Sequence, residues 1–118
     1  MYLFLFFWAF YTFLREKGLL PKKNVDKKHI FITGAGSGLG RGVTLKFAKR
    51  GANLTISDIN EAGLQETKQM VKALTGKDDN IFTIKLDVSN RDQVAESAKK
   101  AQSKFGHVDI LVNNAGIV

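Results

Sequence analysis

The run Thr33-Gly-Ala-Gly-Ser-Gly-Leu-Gly40 constrains this chain more than any other stretch. Glycine lets a backbone turn sharply and approach a ligand with no Cβ in the way. Before the run stands His29-Ile-Phe-Ile-Thr33, a short apolar segment of strand length. After it, Leu39, Val43 and Phe47 fall four apart on one face of a helix expected over Leu39 to Arg50. A helix beginning there offers unpaired N–H groups and the positive end of its dipole to an anion such as a pyrophosphate. A glycine cluster alone is a plain turn as readily as a binding loop. Between a strand and a helix of a βαβ unit it becomes a strong sign of a phosphate cradle.

The alternation continues. Asn53 to Ser57 reads as a second strand, and Glu61 to Thr75 as a second helix stopped near Gly76. Ile81 to Leu86 reads as a third strand whose Phe82, Ile84 and Leu86 alternate with Thr83 and Lys85, so one face looks wet. Ser89-Asn-Arg-Asp92 resembles a capping box opening a third helix, with Val94, Ala98, Ala101 and Phe105 as its apolar stripe. Val108 to Val112 reads as a fourth strand. Strands separated by helices imply right-handed crossovers and a parallel sheet. The expected fold class is α/β, a Rossmann-type doubly wound sheet of about four strands in the order 3-2-1-4, truncated, with an N-terminal apolar helix. Ile110-Leu-Val112 is as apolar as an interior strand, yet only six residues follow it. An uncovered apolar edge is an aggregation liability. The expectation is therefore that more chain belongs after Val118.

The first fourteen residues, Met1 to Leu14, carry no charge and hold the only Trp and both Tyr. A water-soluble helix would show a polar face, and this segment shows none. As a helix it would span about 21 Å, short of the roughly 30 Å of a bilayer core. A cleaved signal peptide would need a basic start and a small-residue cleavage site, and neither is evident. A buried core element is the other alternative. An uncleaved membrane anchor over 1–14 fits best, because six basic residues against two acidic ones follow in 15–28. Such a basic linker stays on the cytoplasmic side and is drawn to anionic headgroups. The net charge of +7 is thus concentrated beside the apolar segment. No nucleic-acid motif accompanies it, so nucleic acid is not expected as a partner. Without Cys there is no disulfide framework and no thiolate metal site. His29 and His107 lie far apart in sequence, and no metal site is expected from them.

Asp58 closes the second strand, 24 residues after Gly34. A carboxylate there accepts hydrogen bonds from ribose hydroxyls and repels a 2′-phosphate. Ala35, Ser37 and Ile59 offer no basic side chain to offset that repulsion, and Arg41 lies on the helix. NAD is therefore expected over NADP. A capping or turn role for Asp58 is the plainer alternative.

The glycine run, Asp58, Asp87-Val88 and Asn113-Asn-Ala-Gly116 together resemble the short-chain dehydrogenase/reductase family over residues 29–118. The resemblance implies that Gly34, Ser37, Gly38, Leu39 and Gly40 line the pyrophosphate turn. It implies that Asp87 and Val88 flank the adenine, and that Asn113, Ala115 and Gly116 lie along the cofactor and steady the central strands. Asp87 could also be a loop carboxylate, and the Asn-Asn-Ala-Gly run an ordinary turn. The apolar start, the basic linker and Ser57-Asp-Ile-Asn60 resemble the family's membrane-associated branch of retinol dehydrogenases and lipid-droplet 17-beta-hydroxysteroid dehydrogenases. That branch implies a lipid alcohol or ketone substrate, attachment through residues 1–28 to endoplasmic reticulum or lipid droplet, and a cytosolic 29–118 domain.

The family's chemistry needs a Tyr, a Lys four residues on that lowers the phenol's pKa, and a Ser that orients the substrate oxygen. Tyr2 and Tyr11 both lie in the apolar segment, and nothing here matches that set. No catalytic residue is assigned, and this length alone is expected to be inactive. Lipid binding and dimer formation are expected only of a longer form. The competing reading is a non-catalytic, membrane-attached dinucleotide-binding or interaction module. An unrelated Rossmann-like domain such as a methyltransferase fits poorly with Asn113-Asn-Ala-Gly116.

Overall fold

The computed structural model describes residues 24–115. The apolar segment 1–14 and the linker up to residue 23 lie outside the described residues, as does Gly116. The elements alternate as β1 (His29–Thr33), α1 (Gly38–Lys49), β2 (Asn53–Asp58), α2 (Glu61–Thr75), β3 (Ile81–Lys85), α3 (Arg91–Phe105) and β4 (Ile110–Asn113). All four strands are parallel, in the order β3-β2-β1-β4. Every strand but β4 lies within a residue of the expected bounds; β4 starts two residues late and takes in Asn113.

The alternation of each strand divides the core in two. Ile30, Ile32, Leu54 and Ile56 are fully buried and meet Val43 and Phe47 of α1 and Leu64 and Val71 of α2. Each such side chain contributes roughly 1.5–3 kcal/mol by leaving water. Phe31, Ile84 and Leu86 face the other way, onto Ala101 of α3. Helices therefore cover both faces, as a doubly wound sheet requires. The stripe expected on α3 is only partly used. Ala101 is buried, whereas Val94 and Ala98 are exposed and border an open groove with Phe31 and Leu111. Leu111 on the edge strand β4 is 56% exposed.

The helix ends follow local chemistry. Asn60 caps α2 by accepting from Gly63 N–H, and Gly76 closes it in the left-handed conformation. At α3 the cap is Asn90, not the Ser89 box expected from the sequence. Asn90 Oδ1 accepts from Asp92 and Gln93 N–H, each at 3.1 Å. Ser89 is drawn away because its hydroxyl donates to Asp87 Oδ1 at 2.7 Å.

Residues 24–28, the end of the basic linker, are built into this unit. Val25 is buried in the core, Lys27 N–H donates to Gly51 O, and Asn53 N–H donates to Lys28 O. Among the described residues no helix is long and apolar enough to cross a membrane.

His29 ties the lower end of the sheet together. Its ring lies within hydrogen-bond distance of Gly106 O (2.9 Å) and Thr55 Oγ1 (2.7 Å) and meets Phe105 edge-on. Its backbone N–H donates to Asp109 Oδ2 at 2.8 Å. That bond holds the Asp109 carboxyl below its ordinary range against partial desolvation, with help from the charges of His107 and Lys28. A carboxyl whose folded pKa is depressed stabilises the fold above its unfolded pKa of about 3.9 and loses that contribution as pH falls through the lower folded value. Asp109→Asn should therefore flatten the melting temperature against pH below about pH 4. Wild-type and variant curves of equal slope in acid would remove Asp109 from the account.

Candidate functional site

The carboxyl ends of β1, β2 and β3 surround a cleft of about 550 Å³. Open parallel sheets bind ligands at this end, where the strand order reverses. Here the reversal falls between β1 and β4. The glycine loop supplies one wall through Gly34, Ser37, Gly38 and Leu39. Ser57, Asp58 and Ile59 follow from β2, and Leu86, Asp87 and Val88 from the end of β3. Asn114 and Ala115 close it beyond β4. Eight residues singled out in the sequence are thus brought together: Gly34, Ser37, Gly38, Leu39, Asp58, Asp87, Val88 and Ala115.

Gly40 and Asn113 stand elsewhere. Gly40 is buried behind the loop, where an added Cβ would overlap the Gly34 carbonyl and come within 2.9 Å of Asn114 Nδ2. Its role is to let α1 start this close to β1. Asn113 points to the opposite face and borders the groove beside α3. There its Oδ1 accepts from the Thr33 hydroxyl at 3.0 Å. The same hydroxyl accepts from Asn114 N–H (2.9 Å) and Ala115 N–H (3.0 Å). Thr33 thus fastens the end of β1 to the strand that lies beside it.

Asp58 is fixed by the backbone around it. Its Oδ2 accepts from Gly36 N–H at 2.8 Å and its Oδ1 from Asn60 N–H at 2.9 Å. A carboxylate has about four lone-pair sites, so two such bonds leave capacity for a ligand hydroxyl. Asp87 Oδ1 accepts from the Ser89 hydroxyl and N–H, and these bonds hold the carboxyl below its ordinary range. Arg41, the basic residue nearest the loop in sequence, turns behind it, onto Gly36 O, Gly63 O, Thr67 Oγ1 and Glu66. Among the described residues, none that lines the cleft is basic.

Sequence reasoning left out Ser57, Ile59, Leu86 and Asn114. Three of them adjoin Asp58 or Asp87, so the rule placing ligands at strand ends was the available signal. Ser57 is 1% exposed, and its Oγ has no hydrogen-bond partner among the described residues. A buried hydroxyl left so is costly, which fits a site completed by a polar ligand.

The cleft fits a nicotinamide dinucleotide on two observations. The loop is a cradle that Cβ atoms would fill: one at Gly34, whose φ is +68°, would lie 2.9 Å from Ala115 N, and one at Gly36 would lie 2.8 Å from Asp58 Oδ2. Polar groups suited to a ribose and a base line the same cleft: Asp58, bonded to Gly36 of the loop, with Ser57 and Asp87.

Known proteins agree with this geometry. The family model for short chain dehydrogenase matches residues 28–118. Estradiol 17-beta-dehydrogenase 11 of Macaca fascicularis is 44% identical over 104 residues, covering 86% of this chain and 34% of that protein. Epidermal retinol dehydrogenase 2 of Mus musculus is 42% identical over 98 residues, covering 83% of this chain and 31% of that protein. Among solved structures, a short chain dehydrogenase/reductase from Burkholderia phymatum in complex with NAD superposes with a TM-score of 0.69 at 37% identity, covering 76% of this chain and 31% of that one. The chain spans about a third of the length of the curated relatives it matches. With its motif residues gathered on a 3-2-1-4 sheet and the family model matched from residue 28 to the last residue, the chain belongs to the short chain dehydrogenase family.

Proposed function

We propose that this chain is the cofactor-binding part of an oxidoreductase that prefers NAD to NADP and acts on the alcohol or ketone of a lipid. One observation carries the cofactor preference. Asp58 stands in the cleft beside the glycine loop, Asp87 also lines it, and among the described residues no basic side chain does. A 2′-phosphate would face uncompensated negative charge there. Arg41 is no remedy, since its guanidinium is bonded to the back of the loop.

When bound, the nicotinamide would accept or supply the hydride. This chain's residues would hold the rest of the cofactor. Ser37 and Gly38 offer backbone N–H groups at the start of α1, where the helix dipole favours a pyrophosphate. Asp58 would accept from the ribose hydroxyls. Asp87, held ionised by Ser89, would accept from an adenine amino group.

The lipid substrate rests on the relatives named for estradiol and retinol, with which this chain shares more than two-fifths of the aligned residues. The uncharged Met1–Leu14 and the basic 15–28 support attachment to endoplasmic reticulum or a lipid-droplet surface, with the domain in the cytosol. Substrate turnover and a dimer belong, in this reading, to a longer polypeptide.

Titration of the detergent-solubilised chain with NADH and NADPH, followed by nicotinamide fluorescence, tests the reading. NADH is expected to bind at least about tenfold tighter, the ratio that about 1.4 kcal/mol produces. Equal affinities would overturn the preference, and binding of neither would overturn the whole reading.

A further inference from the structure

We infer that Arg41 is a positioning residue that acts from behind the glycine loop, aiming the Ser37 N–H at the cofactor's pyrophosphate. The inference rests on the dinucleotide reading above and adds a residue that contacts no cofactor.

A trans peptide is planar, with its C=O and N–H on opposite sides. Fixing a carbonyl therefore fixes the direction of the next residue's N–H. Two consecutive carbonyls of the loop are held from the same side. Thr67 Oγ1 of α2 donates to Ala35 O at 2.7 Å, and Arg41 Nη2 donates to Gly36 O at 2.6 Å. The first grip has a visible result. The Gly36 N–H points the opposite way and donates to Asp58 Oδ2 at 2.8 Å. By the same geometry the second grip turns the Ser37 N–H away from Arg41, towards the cleft that Ser37 and Gly38 line.

Arg41 is itself braced. Its Nε donates to Thr67 Oγ1 at 2.9 Å and its Nη2 to Gly63 O at 3.2 Å. The Glu66 contact at 3.4 Å is solvent-facing, with Glu66 66% exposed, and adds little. Gly63 lets the two helices converge on this point, since a Cβ there would lie 2.5 Å from Gly36 O. A guanidinium suits the place because its planar fork reaches two carbonyls and a hydroxyl in fixed directions, which a single ammonium does not.

The test compares ligands that share the adenosine half and differ in the pyrophosphate. Adenosine and ADP-ribose are titrated against the full wild-type chain, Arg41→Met and Arg41→Lys, by ligand-observed magnetic resonance, with a melting curve on each sample. Arg41→Met is expected to weaken ADP-ribose roughly tenfold, the scale of one misdirected bond to a charged group, and adenosine by less than about twofold. Arg41→Lys keeps the charge and one donor but loses the fork, and is expected to recover part of the ADP-ribose affinity. Should Arg41→Met not fold, Arg41→Lys is read by the same ratio. Equal weakening of both ligands, or no weakening of either, would overturn the positioning role. A wild-type chain that binds neither ligand would instead overturn the dinucleotide reading, and this inference with it.

Discussion

Gly40→Ala is expected to destabilise the fold by about 2 kcal/mol or more, the reverse of what the same change does in an ordinary helix. Two terms oppose each other. Replacing a helical glycine by alanine gains about 0.5–1 kcal/mol through reduced backbone freedom in the unfolded chain. At Gly40 the new Cβ would overlap the Gly34 carbonyl and stand 2.7 Å from its carbon and 2.9 Å from Asn114 Nδ2. Backbone on one side and the sheet's own loop on the other leave little room to relax. Overpacking of this kind costs about 1–3 kcal/mol and occasionally more, so the clash wins. A domain of this size should melt about 8–16 °C lower, at about 4–8 °C per kcal/mol. Gly42 provides the control within the same helix. It is exposed, and an added Cβ meets nothing within 4 Å. Gly42→Ala should raise the melting temperature by a few degrees, in line with about 0.5 kcal/mol or more. Thermal melts followed by circular dichroism would read both variants. A shift of the same sign in the two would show that the close approach at Gly40 does not govern the loop.

Thr33→Val should cost about 2–4 kcal/mol although it exchanges one β-branched side chain for another. Thr33 is 5% exposed, and its hydroxyl donates to Asn113 Oδ1 while accepting from the Asn114 and Ala115 N–H groups. A methyl in its place leaves two part-buried N–H donors without their acceptor, each costing about 1–3 kcal/mol before water relieves it, while the Asn113 amide, on an exposed residue, turns to water. The loop that carries Asn114 and Ala115 would lose its hold on β1, so NADH affinity should fall along with stability. Thr33→Ser keeps the hydroxyl and should lose only the buried methyl, about 1 kcal/mol. Denaturant unfolding of the three proteins separates the cases. Equal losses for Val and Ser would mean that packing, not hydrogen bonding, is what Thr33 provides.

Much of this architecture was legible because short-range patterns and long-range packing agree. The four apolar runs became four strands, and the half-polar pattern of residues 81–86 matched an edge position for β3. The glycines between β1 and α1 were readable because the turn itself demands them. Asp58 was readable because the end of a parallel strand is where ligands lie. What stayed hidden depends on contacts far apart in the chain. Leu39 was read both as part of the helix's apolar stripe with Val43 and Phe47 and as part of the pyrophosphate turn; it is 46% exposed and lines the cleft, so only the second reading fits. Asn113 was expected to lie along the cofactor and steady the central strands; the pleat of β4 sets it beside the groove at α3, where its bond to Thr33 joins β1 and β4. Ser89 was read as a cap because its spacing to Asp92 fits, and spacing does not reveal that Asp87 holds its hydroxyl. No pattern forecast that Arg41 would reach back to the loop carbonyl of Gly36, since a side chain's direction is set by what packs against it.

The strand order also dictates when this domain can form during synthesis. β1 sits in the middle of the sheet, and its pairing with β4 joins Ile30 to Ile110 across eighty residues of chain. At roughly 5–20 residues per second, a ribosome needs about 4–16 s to make that interval. Until then β1 and β2 can pair, but one side of β1 presents unpaired backbone groups beside Ile30 and Ile32, two of the fully buried side chains of the finished core. Closure of so long a loop delays the reward of folding until β4 has been made. The nascent chain thus carries a sticky edge along β1 while residues 34–109 are added, and the step that covers it, arrival of β4, also brings Asn114 and Ala115 against the glycine loop. Pairing of β1 on its second side and completion of the cofactor cleft are a single event.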